Sequence, residues 1–286
     1  MRNLVEWMEA LEIPNCKVFP CLEKLSVEWC SQLKTAPSHF SALRELDIIS
    51  VDSMAVANIY RNLTNITSIR IAYISNLTFL TEGLLKKNKN LTSLRIEHCP
   101  ELMYIAPDVS GYCTSLRLLY IENCRKLSYL LDGLHTLVSL EELRINWCPN
   151  LECIPSILGL TSLRELAIWS CEKLSYLPSG LQSCTSLATL WICDCPNRIS
   201  LPEDLLRELR SLSRLRRIFC KDDSPLTIPP NATLNLTQKE SWDMNIEEKI
   251  EAAVRKTEGR TVLFKASEYA KASKRYQKQK WIGGII

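Results

Sequence analysis

LTSLRIEHC (91–99), LRLLYIENC (116–124), LEELRINWC (140–148), LRELAIWSC (163–171) and LATLWICDC (187–195) are five copies of one phrase. Each is L-x-x-L-x-I with a cysteine eight residues after the first leucine, and the copies start 25, 24, 23 and 24 residues apart. Working outward, weaker copies precede them as LEKLSVEWC from Leu22, LRELDIISV from Leu43 and ITSIRIAYI from Ile66, and one follows as LRRIFCKDD from Leu215. The array therefore holds nine candidate copies over roughly residues 20 to 225.

Within a copy the apolar residues alternate, so the phrase predicts a short strand with its leucines and isoleucine inward and the intervening residues outward. No copy can bury its leucines alone. Stacking neighbours does so, and a self-similar unit of this length is the signature of a leucine-rich-repeat solenoid. The expected class is α/β: a parallel sheet on the concave side and irregular or short helical returns on the convex side. The returns, such as PNLECIPSILGLTS, place Leu151, Ile154, Leu174 and Leu177 as apolar residues, while Pro155, Pro178 and Pro202 break any long helix. The solenoid is expected over residues 1–228, with a linker, a short helix and a basic tail over 229–286.

Composition narrows the function. A net charge of +3 points to neither nucleic acid nor an acidic surface as a chain-wide partner. No apolar run approaches the roughly 18 to 20 residues that span a bilayer. The opening MRNLVEWMEALEIP carries acids and lacks the continuous apolar core of a signal peptide, so a cytoplasmic location is expected, with the nucleus also open to it.

Cysteine is frequent, at 13 residues, and the C-x-C of Cys193 and Cys195 has the look of a ligand pair. Register suggests another role. Cys30, Cys99, Cys124, Cys148, Cys171 and Cys195 share one position in their copies, which predicts a buried column of thiols with weak S–H donors toward the turn backbone. Cys193 is expected at the concave surface, separated from Cys195 only by the bend at the strand end, so joint action of the two stays open. Six N-x-[ST] sequons, at Asn62, Asn65, Asn76, Asn90, Asn231 and Asn235, would suit a secreted glycoprotein, but NLTSL is what a copy naturally spells on entering its next strand, and that reading is the stronger.

Nothing in the chain resembles an active site. His39, His98 and His135 occupy unrelated repeat positions, no G-x-S-x-G, H-E-x-x-H, P-loop or G-x-G-x-x-G is present, and eight glycines leave little for a phosphate-cradling loop. No enzymatic activity, cofactor, metal or small-molecule substrate is expected. The chemistry lies in side chains at positions three, five, seven and eight of the copies. Tyr73, Arg95, Tyr120, Arg144, Trp147, Trp169, Trp191 and Phe219 are the candidate partner-binding residues there. Strands about 4.8 Å apart would gather Trp147, Trp169, Trp191 and Phe219 into one aromatic patch. Tryptophan, tyrosine and arginine dominate interface hot spots, although the same rings could shield neighbouring backbone or dock against flanking domains.

The unit LEELRINWCPNLECIPSILGLTS and its copies, with cysteine at the turn and "LP" on the return, resemble the leucine-rich-repeat region of plant nucleotide-binding disease-resistance receptors. The opening MRNLVEWMEALEIPNCKVFPCLEKLSVEWCSQL is similar to the longer spacer repeat of those receptors, and the likeness covers about residues 1 to 228. L-x-G-x-I-P, the mark of extracellular plant repeats, is absent. The resemblance implies recognition of a pathogen effector or a guarded host protein, or autoinhibition through the receptor's own nucleotide-binding domain. That domain's P-loop is not in the chain, so a fragment or truncated form is expected.

Residues 231–286 leave the array. MNIEEKIEAAVRKT predicts an amphipathic helix with Ile246, Ile250, Ala253 and Val254 on one side, and between Arg255 and Lys280 nine Lys or Arg face two acids. This stretch is open to an anionic membrane, nucleic acid, a partner groove, a solvated end, or a cap over the last repeat. The alternative function is accordingly a standalone scaffold or adaptor whose basic tail binds membrane or nucleic acid.

Overall fold

The computed structural model describes residues 4–7, 19–80, 82–105, 111–195, 212–215 and 217–221, with the backbone alone for the last stretch. Nine strands run through them: β1 Lys24–Glu28, β2 Glu45–Ile49, β3 Ser68–Ala72, β4 Ser93–Glu97, β5 Leu118–Glu122, β6 Glu142–Asn146, β7 Glu165–Trp169, β8 Thr189–Cys193 and β9 Arg217–Lys221. Every strand begins at position three of its copy. All are parallel, in chain order and in register, so that Leu94, Leu119, Leu143, Leu166 and Leu190 form one row and Ile96, Ile121, Ile145, Ile168 and Ile192 the next. Both rows are buried. A parallel sheet needs a crossover for each strand, and among the described residues the return paths supply it. The fold is a leucine-rich-repeat solenoid, as the periodicity predicts.

The returns close the core from the other side. Leu33, Leu77, Leu102, Leu127, Leu151 and Leu174 stand eleven residues after the first apolar position of their copies and are all buried. Where the neighbouring cysteine is present, the leucine N–H donates to its carbonyl, as in Leu102 to Cys99 at 3.2 Å and Leu151 to Cys148 at 3.1 Å. Two early returns are helical: α1, Ser53–Tyr60, and α2, Glu82–Lys87. α1 lacks proline, buries Ala55, Val56, Ile59 and Tyr60, and is capped by Asp52, whose side chain accepts from Met54 N at 2.9 Å. Among the described residues the later returns are turns, with single 3-10 turns at Leu134–Thr136 and Leu181–Ser183. Gly180 enters the second of these at φ 92, and a Cβ there would lie 2.5 Å from Leu158 N, so only glycine fits.

The thiol column is present and its chemistry is specific. Cys30, Cys99, Cys124, Cys148, Cys171 and Cys195 are buried, and each Sγ donates to the carbonyl two residues earlier at 3.3 to 3.5 Å. Each of the middle thiols also faces the backbone N–H of the preceding copy: Ile74 for Cys99, Cys99 for Cys124, Cys124 for Cys148 and Cys148 for Cys171. Sulfur, being both a weak donor and a weak acceptor, faces the N–H of one copy and adds a second donor to a carbonyl that already accepts the position-eight N–H of the preceding copy, which an aliphatic residue could not do. Burial pushes the Cys99 and Cys171 thiols up to about 12 and raises those of Cys124 and Cys148 as well. Cys193, expected at the surface, is instead buried: it ends β8 beside Trp169 in register, and its own carbonyl takes the S–H of Cys195.

No helix among the described residues is long and apolar enough to cross a membrane. The boundary expected at 228/229, the helix from Met244 and the basic tail lie outside the described residues.

Candidate protein-binding surface

Strand alternation turns positions three, five and seven of each copy to the open face of the sheet, and position eight behaves differently. Trp29, Ser50, Tyr73, His98, Asn123, Trp147, Ser170 and Asp194 all hold φ between 50 and 58. This left-handed conformation is rare for residues with a Cβ and costs about 1 to 2 kcal/mol. A regular hydrogen bond offsets the cost: from Trp29 to Ser170 the N–H of each of these residues donates to the position-seven carbonyl of the next copy, for example Tyr73 to Glu97 at 2.9 Å and Trp147 to Trp169 at 2.7 Å. The turn swings position eight out of the sheet, so the eight candidate residues divide between a floor and a rim.

The rim carries Tyr73 and Trp147, both exposed. Tyr73 stacks on His98 with ring centroids 4.4 Å apart and lies 6.4 Å from Trp29, across the small Ser50 of the intervening copy. Asn123 Nδ2 donates to His98 Nδ1 at 2.8 Å, which fixes the imidazole. Trp147 has no ring partner among the described residues and so stands apart from the other tryptophans.

The floor carries Arg95, Tyr120 and Arg144 side by side at position five of β4, β5 and β6. Arg95 lies over the Tyr120 ring, 5.4 Å from its centroid, and the Tyr120 hydroxyl donates to Glu122. Arg144 is divided between two carboxylates, 2.9 Å from Glu142 and 3.0 Å from Glu165 Oε1, where its Nε lies off the line of a hydrogen bond. Farther along, Trp169 at position seven and Trp191 at position five meet diagonally, centroids 5.9 Å apart and tilted by 47°. Ala167 and Cys193 share this part of the sheet and are only 5% and 6% exposed. Ala167 pairs in register with Arg144 and Trp191, and Cys193 with Trp169, so each small residue lies beside large ones. Phe219 pairs in register with Trp191 on β9; its side chain lies outside the described residues. The expected four-ring patch thus comes down to one described pair.

Two features of the surface escape single-copy reasoning. Arg70 grips Glu97 bidentately, at 3.1 and 2.7 Å, and buries its carboxylate, a contact spanning 27 residues that only the pairing of β3 with β4 creates. On the return side a second parallel ladder joins Phe79, Tyr104 and Tyr129, leaving all three rings exposed with Phe79 stacked on Tyr104 at 5.7 Å. The L-x-[FY] of LTF, LMY and LSY, three residues into each return, carried that signal in the sequence.

No family model matches the chain. Among solved structures it is similar to a leucine-rich-repeat protein of Leptospira interrogans, at 17% identity and a TM-score of 0.33, over 71% of this chain and 59% of that one. It is also similar to an internalin of Listeria monocytogenes, at 17% identity and a TM-score of 0.29, over 70% of this chain and 74% of that one. The chain therefore spans less than two thirds of the Leptospira protein. The fold assignment rests on the strand register and the buried columns described above.

Proposed function

We propose that this chain is the protein-recognition module of an intracellular plant immune receptor, binding a pathogen effector, a guarded host protein or the receptor's own nucleotide-binding domain through the open face of its sheet. A protein-interaction role is the general one for this repeat fold, and the immune setting comes from the repeat unit, with cysteine at the turn and "LP" on the return. The observation that carries the reading is the Trp169–Trp191 pair, two large rings in mutual contact on a face that the core does not use. Rings and guanidinium groups held on rigid strands lose little entropy on binding, which suits them as anchors. Arg95, Tyr120, Arg144 and Phe219 extend that surface along the floor, and Tyr73 and Trp147 along the rim.

The test is retention of proteins from a plant extract by the full chain and by its Trp169→Ala/Trp191→Ala variant, with thermal melting as a folding control. The expected result is a discrete partner, an effector, a host protein or a nucleotide-binding domain, held by the parent and released from an equally stable variant. The same proteins retained by both would overturn the assignment of the surface.

A further inference from the structure

Charge is not even along the open face. Over β5 to β8, positions three, five and seven hold Glu122, Glu142 and Glu165 against a single cation, Arg144. Arg144 is shared between Glu142 and Glu165, and Glu122 receives only the Tyr120 hydroxyl, so this sector carries a net charge of −2 beside the tryptophans. The upstream sector of β3 and β4 has the opposite balance, with Arg70 and Arg95 against Glu97.

Hydrogen bonding is incomplete in the same place, where Arg144 Nε is a buried donor without an acceptor. Glu122, Asn146 and Trp169 are consecutive at position seven in register. The Oδ1 of Asn146 is the one buried side-chain acceptor among the described residues that lacks a donor. Such orphans are costly, and the two lie on β6 between Glu122 and Trp169.

We infer that the β5–β8 sector takes a basic residue, arginine in preference to lysine, presented by an extended segment of the partner protein. A guanidinium suits the sector: it brings a positive charge to Glu122 and to the net charge that Arg144 leaves on Glu142 and Glu165, N–H donors for those carboxylates, and a planar face to lie on an indole. Lysine supplies the charge without the planar face. The inference rests on the open face being the binding surface and adds the chemistry that surface selects.

A labelled peptide of alternating arginine and serine, titrated into the full chain and followed by fluorescence anisotropy, tests it against glutamine–serine and lysine–serine counterparts. Arginine–serine should bind best, lysine–serine more weakly, glutamine–serine least, and binding should weaken with added salt. Glu122→Gln and Glu165→Gln should each weaken it about threefold, and Trp169→Ala about fivefold at unchanged melting temperature. Glu152→Gln, on the exposed return side, should leave it unchanged and so separates this site from general attraction to acidic surface. Equal binding of the glutamine–serine peptide, or indifference to Glu122→Gln and Trp169→Ala together, overturns the inference. If a protein partner depends on Trp169 and Trp191 but ignores Glu122→Gln and Glu165→Gln, the binding surface stands and its preference for a basic residue falls.

Discussion

The second and third copies differ from the fourth to eighth at position nine and in their returns, and agree with them in their strands and in the turn at position eight. Position nine is Val51 and Ile74 in the former and cysteine in the latter, and the return is α1 or α2 in the former and a turn in most of the latter. Yet β2 and β3 pair with their neighbours in the same register as β5 and β6. The strand row is thus the invariant of the fold, because a shift by one residue would expose every leucine. The return only has to be long enough to cross back and apolar enough to cover the row. A helix does this where proline is absent and the apolar spacing allows, as in Ala55, Val56, Ile59 and Tyr60 of α1; Pro155 and Pro178 force turns instead.

The contrast can be broken at several points. The largest effect belongs to the shared row: Leu143→Ala, fully buried in β6, should lower unfolding free energy by about 2 to 5 kcal/mol. Leu25→Ala, in the partly buried first strand, should cost distinctly less in the same denaturant titration. An equal loss at both sites would show that the edge copy is as tightly packed as the middle. Next comes the ladder. Cys148→Val imports the residue that the second copy tolerates at this position, and should cost about 1 to 3 kcal/mol by overpacking and by removing the acceptor that faces Cys124 N–H. A neutral result would reduce the cysteines to filler.

A smaller effect is peculiar to the helical copies. Burial opposes the charge on Asp52, but hydrogen bonds from Lys34 and Met54 N–H, the Lys34 charge and Asn76 outweigh it and hold the carboxyl below its ordinary value of 3.8. A group with a depressed folded-state pKa adds stability above its unfolded pKa and loses it as pH falls through the folded one. The Asp52→Ala change should therefore cost about 1 kcal/mol near neutrality and progressively less in acid, measured by melting against pH. The thiols run the other way: with Cys99 and Cys171 raised to about 12, their contribution is whole below pH 9.0 and fades as pH climbs toward 12, whatever residue stands at 52. Least costly to the protein is labelling. Cys21 and Cys153 are exposed and should react with a maleimide at once, whereas the ladder thiols should react only as the chain unfolds.

Much of this architecture was legible beforehand. The start of each strand follows from the first leucine of its copy, even in the irregular copies at Leu43 and Ile66, because alternation and stacking leave one register that buries both apolar rows. The thiol column was legible for the same reason. Cys193 departs from the expected exposure because alternation describes where a side chain sets out and not what lies beside it, here Trp169 in register on the neighbouring strand. Trp147 was grouped with Trp169 because their copies are adjacent, but it falls on the left-handed turn at position eight, where the chain leaves the sheet. Aspartate, asparagine and serine at that position in other copies hinted at a turn; Trp29, Tyr73 and Trp147 concealed it.

The sequence alone determined the repeat length, the buried rows and the cysteine column, since each is a property of one copy reproduced by its neighbours. Tertiary structure alone decided that Arg70 closes on Glu97, that Arg144 is shared by Glu142 and Glu165, and that Trp169 rather than Trp147 meets Trp191. Those contacts join different positions on different strands, and their geometry depends on strand spacing, register and the hand of the turn, which no single copy of the repeat encodes.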